Sequence, residues 1–201
     1  MIDPKEAQNH FPIHLLLKKR WSPRAFSDKT IETEKLLSVF EAARWSASAA
    51  NQQPWRFIIG LKGEDSWQKI FESLDHYNQV WCHMPFVLGI SCGRTLLNDD
   101  KGANPYYAYD TGQSLASLSI QATAEGLFVH QMGGFNKEKV REHFEIPEIF
   151  EPLTAFAIGY LGNPSDLDEH NQKRETHSRE RTEIKDLLFS GKFGQKSGLL
   201  K

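Results

Sequence analysis

Apolar positions come in short blocks separated by polar punctuation. The first block, Ile13–Leu17, ends in Lys18-Lys19-Arg20 and predicts a short helix with cations at its C-terminal end. Ser22-Pro23 then biases the chain out of helix, so Arg20–Asp28 reads as an ordered loop. Leu36, Leu37, Phe40 and Ala43 share one helical face, and the Thr33 hydroxyl is the expected cap of a helix reaching Arg44 or Trp45. The small and amide residues of Ser46–Pro54 predict a loop, Trp55–Ile59 a strand stopped at Gly60, and Ser66–Leu74 a short helix.

Phe86–Ser91 is a continuous apolar run of strand length, expected to be buried on both faces. Asn98–Pro105 is polar and reads as a loop. Asp110 is the expected cap of a long helix that runs to Glu125 and stops at Gly126. Its small residues, among them Gly112, Ala116 and Ala122, allow close approach by a neighbour. Phe128–His130 predicts a short strand, Met132–Asn136 a turn, Lys137–His143 a helix start and Ala155–Tyr160 a further strand. Past Pro164 the sequence becomes charged and mixed in sign, and Asp166–Asp186 reads as a solvated arm. Helices and strands alternate irregularly, which points to α+β rather than a regular βαβ array.

Composition narrows the function classes. Lys and Arg total 24 against 26 Asp and Glu, a net charge of −2, without the basic excess expected of a nucleic-acid binder. At 39% hydrophobic residues the chain is rich enough to pack a core. Cys82 and Cys92 lack C-x-x-C spacing, so neither a disulfide framework nor a zinc site is expected. The longest uncharged apolar run, Met84–Gly93, falls well short of the ~18 residues a membrane span needs. The N-terminus has no apolar signal region, so a cytoplasmic, soluble protein is expected.

Familiar catalytic motifs fail. There is no G-x-G-x-x-G and no G-x-S-x-G, and Gly194–Gly198 lacks P-loop spacing. Asp166-Leu167-Asp168 opens like a calcium loop, but Asn171 and His177 stand where Gly and Glu belong. The histidines form no ligand pairs, so no metal site is expected.

Three segments carry chemistry. Arg20-Trp21-Ser22-Pro23-Arg24-Ala25-Phe26 offers two guanidiniums and a hydroxyl, a plausible anion cradle, although alone it reads more readily as a surface loop with Phe26 packed inward. Ser48–Phe57 offers amides that both donate and accept, suited to a planar ring edge or a sugar alcohol. Gln131–Phe135 contains consecutive glycines, which expose backbone N–H groups.

In this order the segments resemble the flavin-dependent nitroreductase family, through R-x-S-x-R-x-F (Arg20–Phe26), S-x-x-N-x-Q-P-W (Ser48–Trp55) and the Gly133-Gly134-Phe135 turn. The strand Ala157–Tyr160 and the closing Arg181 before Gly191-Lys192-Phe193-Gly194 extend the likeness over nearly the whole chain. The resemblance implies a single domain, residues 1–201, with 163–201 an arm contributing to the cofactor site. The implied fold is a three-layer α-β-α sandwich with a mixed, mainly antiparallel sheet, assembled as a homodimer with FMN at the subunit interface.

Arg20, Ser22 and Arg181, with Arg179 as the alternative, would hold the phosphate, and Arg24 would face the pyrimidine side of the flavin. Ser48, Asn51 and Gln53 would line the ribityl chain or ring edge, flanked by Trp21, Ala47 and Met132. The N–H of Gly133 or Gly134 would point at flavin N5. The implied activity is NAD(P)H-dependent, ping-pong reduction of nitroaromatics, quinones or similar electrophiles, with the chemistry carried by FMN. A dehalogenase, a flavin-modifying enzyme or a non-catalytic flavin-binding or redox-sensing protein are the alternatives. Small-molecule partners are expected, with neither nucleic acid nor membrane.

Overall fold

The computed structural model describes residues 5–199. Four strands, β1 (Trp55–Leu61), β2 (Val87–Arg94), β3 (Phe128–Met132) and β4 (Phe150–Gly159), form one sheet in the order β1-β2-β4-β3. All three pairings are antiparallel. The helices are α1 (Leu15–Lys19), α2 (Thr33–Arg44), α3 (Asp65–Ser73), α4 (His76–Gln79), α5 (Tyr107–Ala124), α6 (Lys137–His143) and α7 (Glu169–Thr176).

The sheet is buried on both faces because its strands are apolar at successive positions, not merely at alternate ones. On one face Leu88, Ile90, Ala155 and Ala157 pack with Ile70 of α3 and Val140 of α6. On the other, Val87, Phe156 and Ile158 pack with Val39 of α2 and Leu115, Leu118 and Ala122 of α5. This is the three-layer α-β-α sandwich. Alternating Cβ directions along each strand split one apolar run between two cores. None of the described helices is long and apolar enough to cross a membrane.

Several boundaries differ from the sequence reading, each for a local reason. Thr33 does not cap α2. Glu32 occupies the cap position without a side-chain cap bond, its carboxylate instead accepting the Tyr160 hydroxyl. Asp110 lies inside α5, which begins at Tyr107, and its buried carboxylate accepts the Ala49 N–H at 3.1 Å. Strand β1 continues through Gly60 because the backbone of α3 packs on that glycine. A Cβ there would lie 2.2 Å from the Trp67 nitrogen.

Strand β4 starts at Phe150, well before the expected Ala155. Pro152 is tolerated because β3 pairs only with Ala155–Gly159, which leaves that end of β4 bonded on one side. The β2 ladder also slips there, between Ser91 and Cys92. The arm is not simply solvated. Asp168 caps α7 by accepting the Asn171 N–H at 3.1 Å, and Asn171 and Glu175 are buried.

Gly89 pairs with Phe156, whose ring fills the space above it; an added Cβ would meet Phe156 Cζ at 2.2 Å. Phe156 is fully buried between Phe40 and Phe57 and has no free direction to move. Gly89→Ala is therefore expected to destabilise by about 1–3 kcal/mol through overpacking, read as a lower urea midpoint at unchanged m-value. Wild-type stability would refute this account of the ring-on-glycine contact.

Candidate functional site

The loop Arg20–Phe26 is held by groups from distant parts of the chain. Phe26 is buried, bridges Leu161 just past β4, and stacks on Trp81 at 6.4 Å. Gly162 donates to the Ala25 carbonyl at 2.9 Å, and Ser27 to Tyr160 at 3.0 Å. The Pro23 carbonyl meets His130 Nδ1 at 2.7 Å. The carboxylate of Glu175, only 3% exposed, accepts the N–H groups of Arg24 at 2.9 and 3.0 Å and of Ala25 at 2.9 Å. The loop backbone is thus satisfied from behind, which leaves the side chains of Arg20, Ser22 and Arg24 to face a common cleft.

That cleft, of about 420 Å³, is also lined by Arg174, Arg179 and Arg181 from α7 and the segment after it. Burial, and then the charges of Arg179 and Arg181, lower the Arg20 pKa from its ordinary value. Burial followed by Arg174 does the same for Arg24. Among the described residues, Arg20, Arg24, Arg174 and Arg181 form no ion pair with a carboxylate, and the buried Nε of Arg24 has no hydrogen-bond partner. Like charges converge with no direct ion pair, the Glu175 carboxylate offsetting only part of the charge on Arg24, an arrangement that favours a bound oxyanion.

The two closing arginines do different work. Arg179 donates to the Arg20 carbonyl and, at 3.0 Å, to the Lys18 carbonyl, tying the arm to the end of α1. Among the described residues, Arg181 bonds only to the adjacent Glu180 carbonyl and leaves most of its fork in the cleft. Lys5 adds a second tie, donating to the carbonyls of Arg174 at 3.0 Å and His177 at 2.6 Å beneath the Trp21 ring.

The Ser48–Trp55 loop stands apart from this cleft. It leads into β1 at one edge of the sheet, whereas His130, which braces Arg20–Phe26, belongs to β3 at the other edge. Ser48 Oγ accepts the Gln53 N–H at 3.0 Å, and Gln52 is clamped by Asn98 at 2.8 and 3.1 Å. Ala50, Asn51 and Gln53 all have positive φ, at 48°, 54° and 48°. Three left-handed residues that are not glycine in one short loop cost backbone energy, the kind of strain that gathers at functional sites. Asn51, Gln53 and Ala47 are exposed, so the strained turn presents amides to a surface.

The glycine turn is asymmetric. Gly134 packs against Asp75, whose carboxylate would lie 1.9 Å from an added Cβ, and its carbonyl accepts from Asp75 N and Asn78 Nδ2. Gly133 faces open space. The Met132 side chain is 3% exposed and belongs to the core, so only its backbone can serve a ligand.

Glu175, Arg174, Tyr77, Lys5 and His130 escaped the sequence reading. For Arg174 and Glu175 the single sequence signal was Asp168, a helix cap in a stretch too polar to show periodicity. His130 packs 4.4 Å from Trp81, and burial first, then the positive charges of Arg24, Arg174 and Arg20, lower its pKa to about 4 against the bond to Pro23.

The chain matches the Nitroreductase family model over residues 17–74 and 60–160. It belongs to that family. A solved structure described as an oxidoreductase containing FMN is 34% identical, covers 94% of this chain and 96% of its own, and superposes with a TM-score of 0.88. A 15.4 kDa protein from the ask 5′ region of Mycolicibacterium smegmatis is 30% identical over 69% of this chain and 97% of its own length. The major NAD(P)H-flavin oxidoreductase of Aliivibrio fischeri is 28% identical over 58% of this chain and 51% of its own.

Two outcomes check the loop's supports. Glu175→Gln replaces an acceptor-only carboxylate with a group that turns N–H toward N–H, and is expected to cost about 1–3 kcal/mol, seen as a lower unfolding midpoint. His130 is neutral when folded down to a pKa of about 4, whereas the unfolded residue takes up its proton near pH 6.5. Stability is therefore expected to be full above about pH 6.5 and to fall by at most about 3 kcal/mol between there and pH 4. His130→Asn should flatten that slope in urea titrations; an unchanged slope would refute the assignment.

Proposed function

We propose that the protein is an FMN-dependent oxidoreductase that uses NAD(P)H to reduce nitroaromatics, quinones or similar electrophiles by a ping-pong mechanism. The observation that carries this reading is the convergence of arginines without a direct carboxylate ion pair on a loop whose backbone is fixed from behind. The buried, unpartnered Nε of Arg24 fits an acceptor group of the cofactor. FMN, when bound, supplies the redox chemistry, taking hydride from the nicotinamide and passing electrons to the acceptor.

The chain's own residues bind and orient. Arg20, Ser22 and Arg181 hold the phosphate, and Arg179 braces the loop that carries them. Arg24 sets a fixed positive charge beside the N1 and C2-carbonyl edge, where negative charge develops on reduction. Gly133, with open space where a Cβ would stand, would offer its N–H to N5. Residues 163–201 belong to the same single domain as an arm that completes the cofactor site.

A homodimer supports this reading in two ways. Ser48, Asn51 and Gln53 sit at the sheet edge opposite the arginine loop, so they reach a flavin held by a second copy. Large apolar side chains, including Leu37 at 63%, Trp45 at 75% and Phe193 at 96% exposure, are left for a partner to cover. The proposed partners are the nicotinamide donor and a small-molecule acceptor, in the cytoplasm, without nucleic acid or membrane.

Anaerobic mixing with NADH or NADPH is expected to bleach a bound flavin, and an added quinone or nitroaromatic to restore it. A protein that neither retains nor takes up FMN would overturn the proposal. Arg181→Ala is expected to weaken FMN binding by about tenfold or more, as loss of a charge-assisted phosphate bond does, with little change in thermal midpoint. Arg179→Ala should lower both. Fluorescence titration with FMN and a melting curve separate the two.

A further inference from the structure

Resting on the flavin reading above, we infer that Arg174, oriented by Tyr77, forms an oxyanion subsite beside Arg24 that selects a negatively charged group on one of the two substrates. The cleft holds more positive charge than one phosphate and one ring edge require. Arg20 lies among Arg179 and Arg181, whereas Arg24 feels Arg174 as its principal charged neighbour. The hydroxyl of Tyr77 accepts from the Arg174 guanidinium, which lines the same cleft as Arg24. The Arg174 guanidinium also lies 5.6 Å from the Tyr77 ring centroid.

Tyr77 stands on α4 and Arg174 on α7, so the subsite is assembled across two helices. Arg174 is exposed and Tyr77 is 42% exposed, so the fork is reachable from solvent. The adjacent Glu175 carboxylate bonds to the backbone N–H groups of Arg24 and Ala25, and among the described residues it forms no ion pair with the fork. His130, behind the pair, is held neutral and adds no charge. Arg174 itself has no carboxylate ion pair among the described residues. A fork oriented by a phenol, with a second guanidinium lining the same cleft, suits a carboxylate or a phosphate monoester, each of which offers paired acceptor oxygens.

The shared chemistry has two sources, the 2′-phosphate of the hydride donor or an anionic substituent on the acceptor. Steady-state kinetics of the FMN-saturated protein separate them by two ratios, KM for NADPH over NADH and KM for 4-nitrobenzoate over nitrobenzene. Arg174→Ala is expected to raise one ratio by about tenfold, the cost of losing one charge-assisted contact, and Arg174→Lys to recover part of it. The neighbouring Lys173→Ala, which removes a cation paired with Glu169, should leave both ratios unchanged. A shift in the first ratio assigns the subsite to the donor, and a shift in the second to the acceptor. No shift in either, or an equal shift with Lys173→Ala, would overturn the inference.

A calorimetric titration with adenosine 2′-monophosphate and 4-nitrobenzoate, against adenosine and nitrobenzene, reads the same preference without turnover. Preferential binding of an anionic probe that is lost with Arg174→Ala supports the subsite even if the protein fails to reduce its flavin. Equal binding of charged and neutral probes counts against it. Failure of the flavin reading is scored separately, by FMN content and bleaching.

Discussion

The carboxylate of Glu175 joins two ends of the chain that lie 150 residues apart, and it does so inside the protein. A buried carboxylate is costly unless its oxygens are satisfied. Here they are met by the consecutive N–H groups of Arg24 and Ala25, which would otherwise be unpaired donors in a loop. Each side solves the other's problem. The consequence is directional. With the loop backbone turned inward to Glu175 and His130, the guanidiniums of Arg20 and Arg24 are turned outward, and α7 brings Arg174 beside them.

The same economy holds at the other edge of the sheet. The Ser48–Trp55 loop adopts three positive φ values that its residues do not favour, and bonds from Asp110, Ser48 and Asn98 hold it there. Between the edges the sheet acts as a rigid spacer. Its central strands, β2 and the paired half of β4, are buried on both faces, and the Phe156 ring over Gly89 locks β2 against β4. The two loops therefore sit on a frame that fixes their separation, which explains why one copy of the chain does not unite them.

Much of the fold was legible in the sequence. The apolar runs at Trp55, Phe86 and Ala155 gave strands, and the small-residue segment gave the long α5, because those signals are strong and local. The failures share a cause. The Thr33 cap, the Asp110 cap and the Ala155 strand start were read from local chemistry, but distant partners decided each: Tyr160 engaging Glu32, Ala49 on Asp110, and the short pairing partner β3 that leaves room for Pro152. Helix α7 was invisible because its buried positions, Asn171 and Glu175, are polar. A hydropathy pattern carries no trace of a helix that docks through hydrogen bonds.

The sequence by itself determined the family, the α+β class and the arginine and amide segments, since those rest on residue types in a fixed order along the chain. Only the tertiary structure decided which of them meet. It separated Arg181, facing the cleft, from Arg179, bonded to the backbone of α1, two residues that sequence treats as rivals. It set Gly133 against open space and closed Gly134 with Asp75. It also brought Arg174 to Arg24. These outcomes depend on hydrogen bonds and charge contacts between segments far apart in the chain, and such contacts are fixed only when the sheet has set the distances between them.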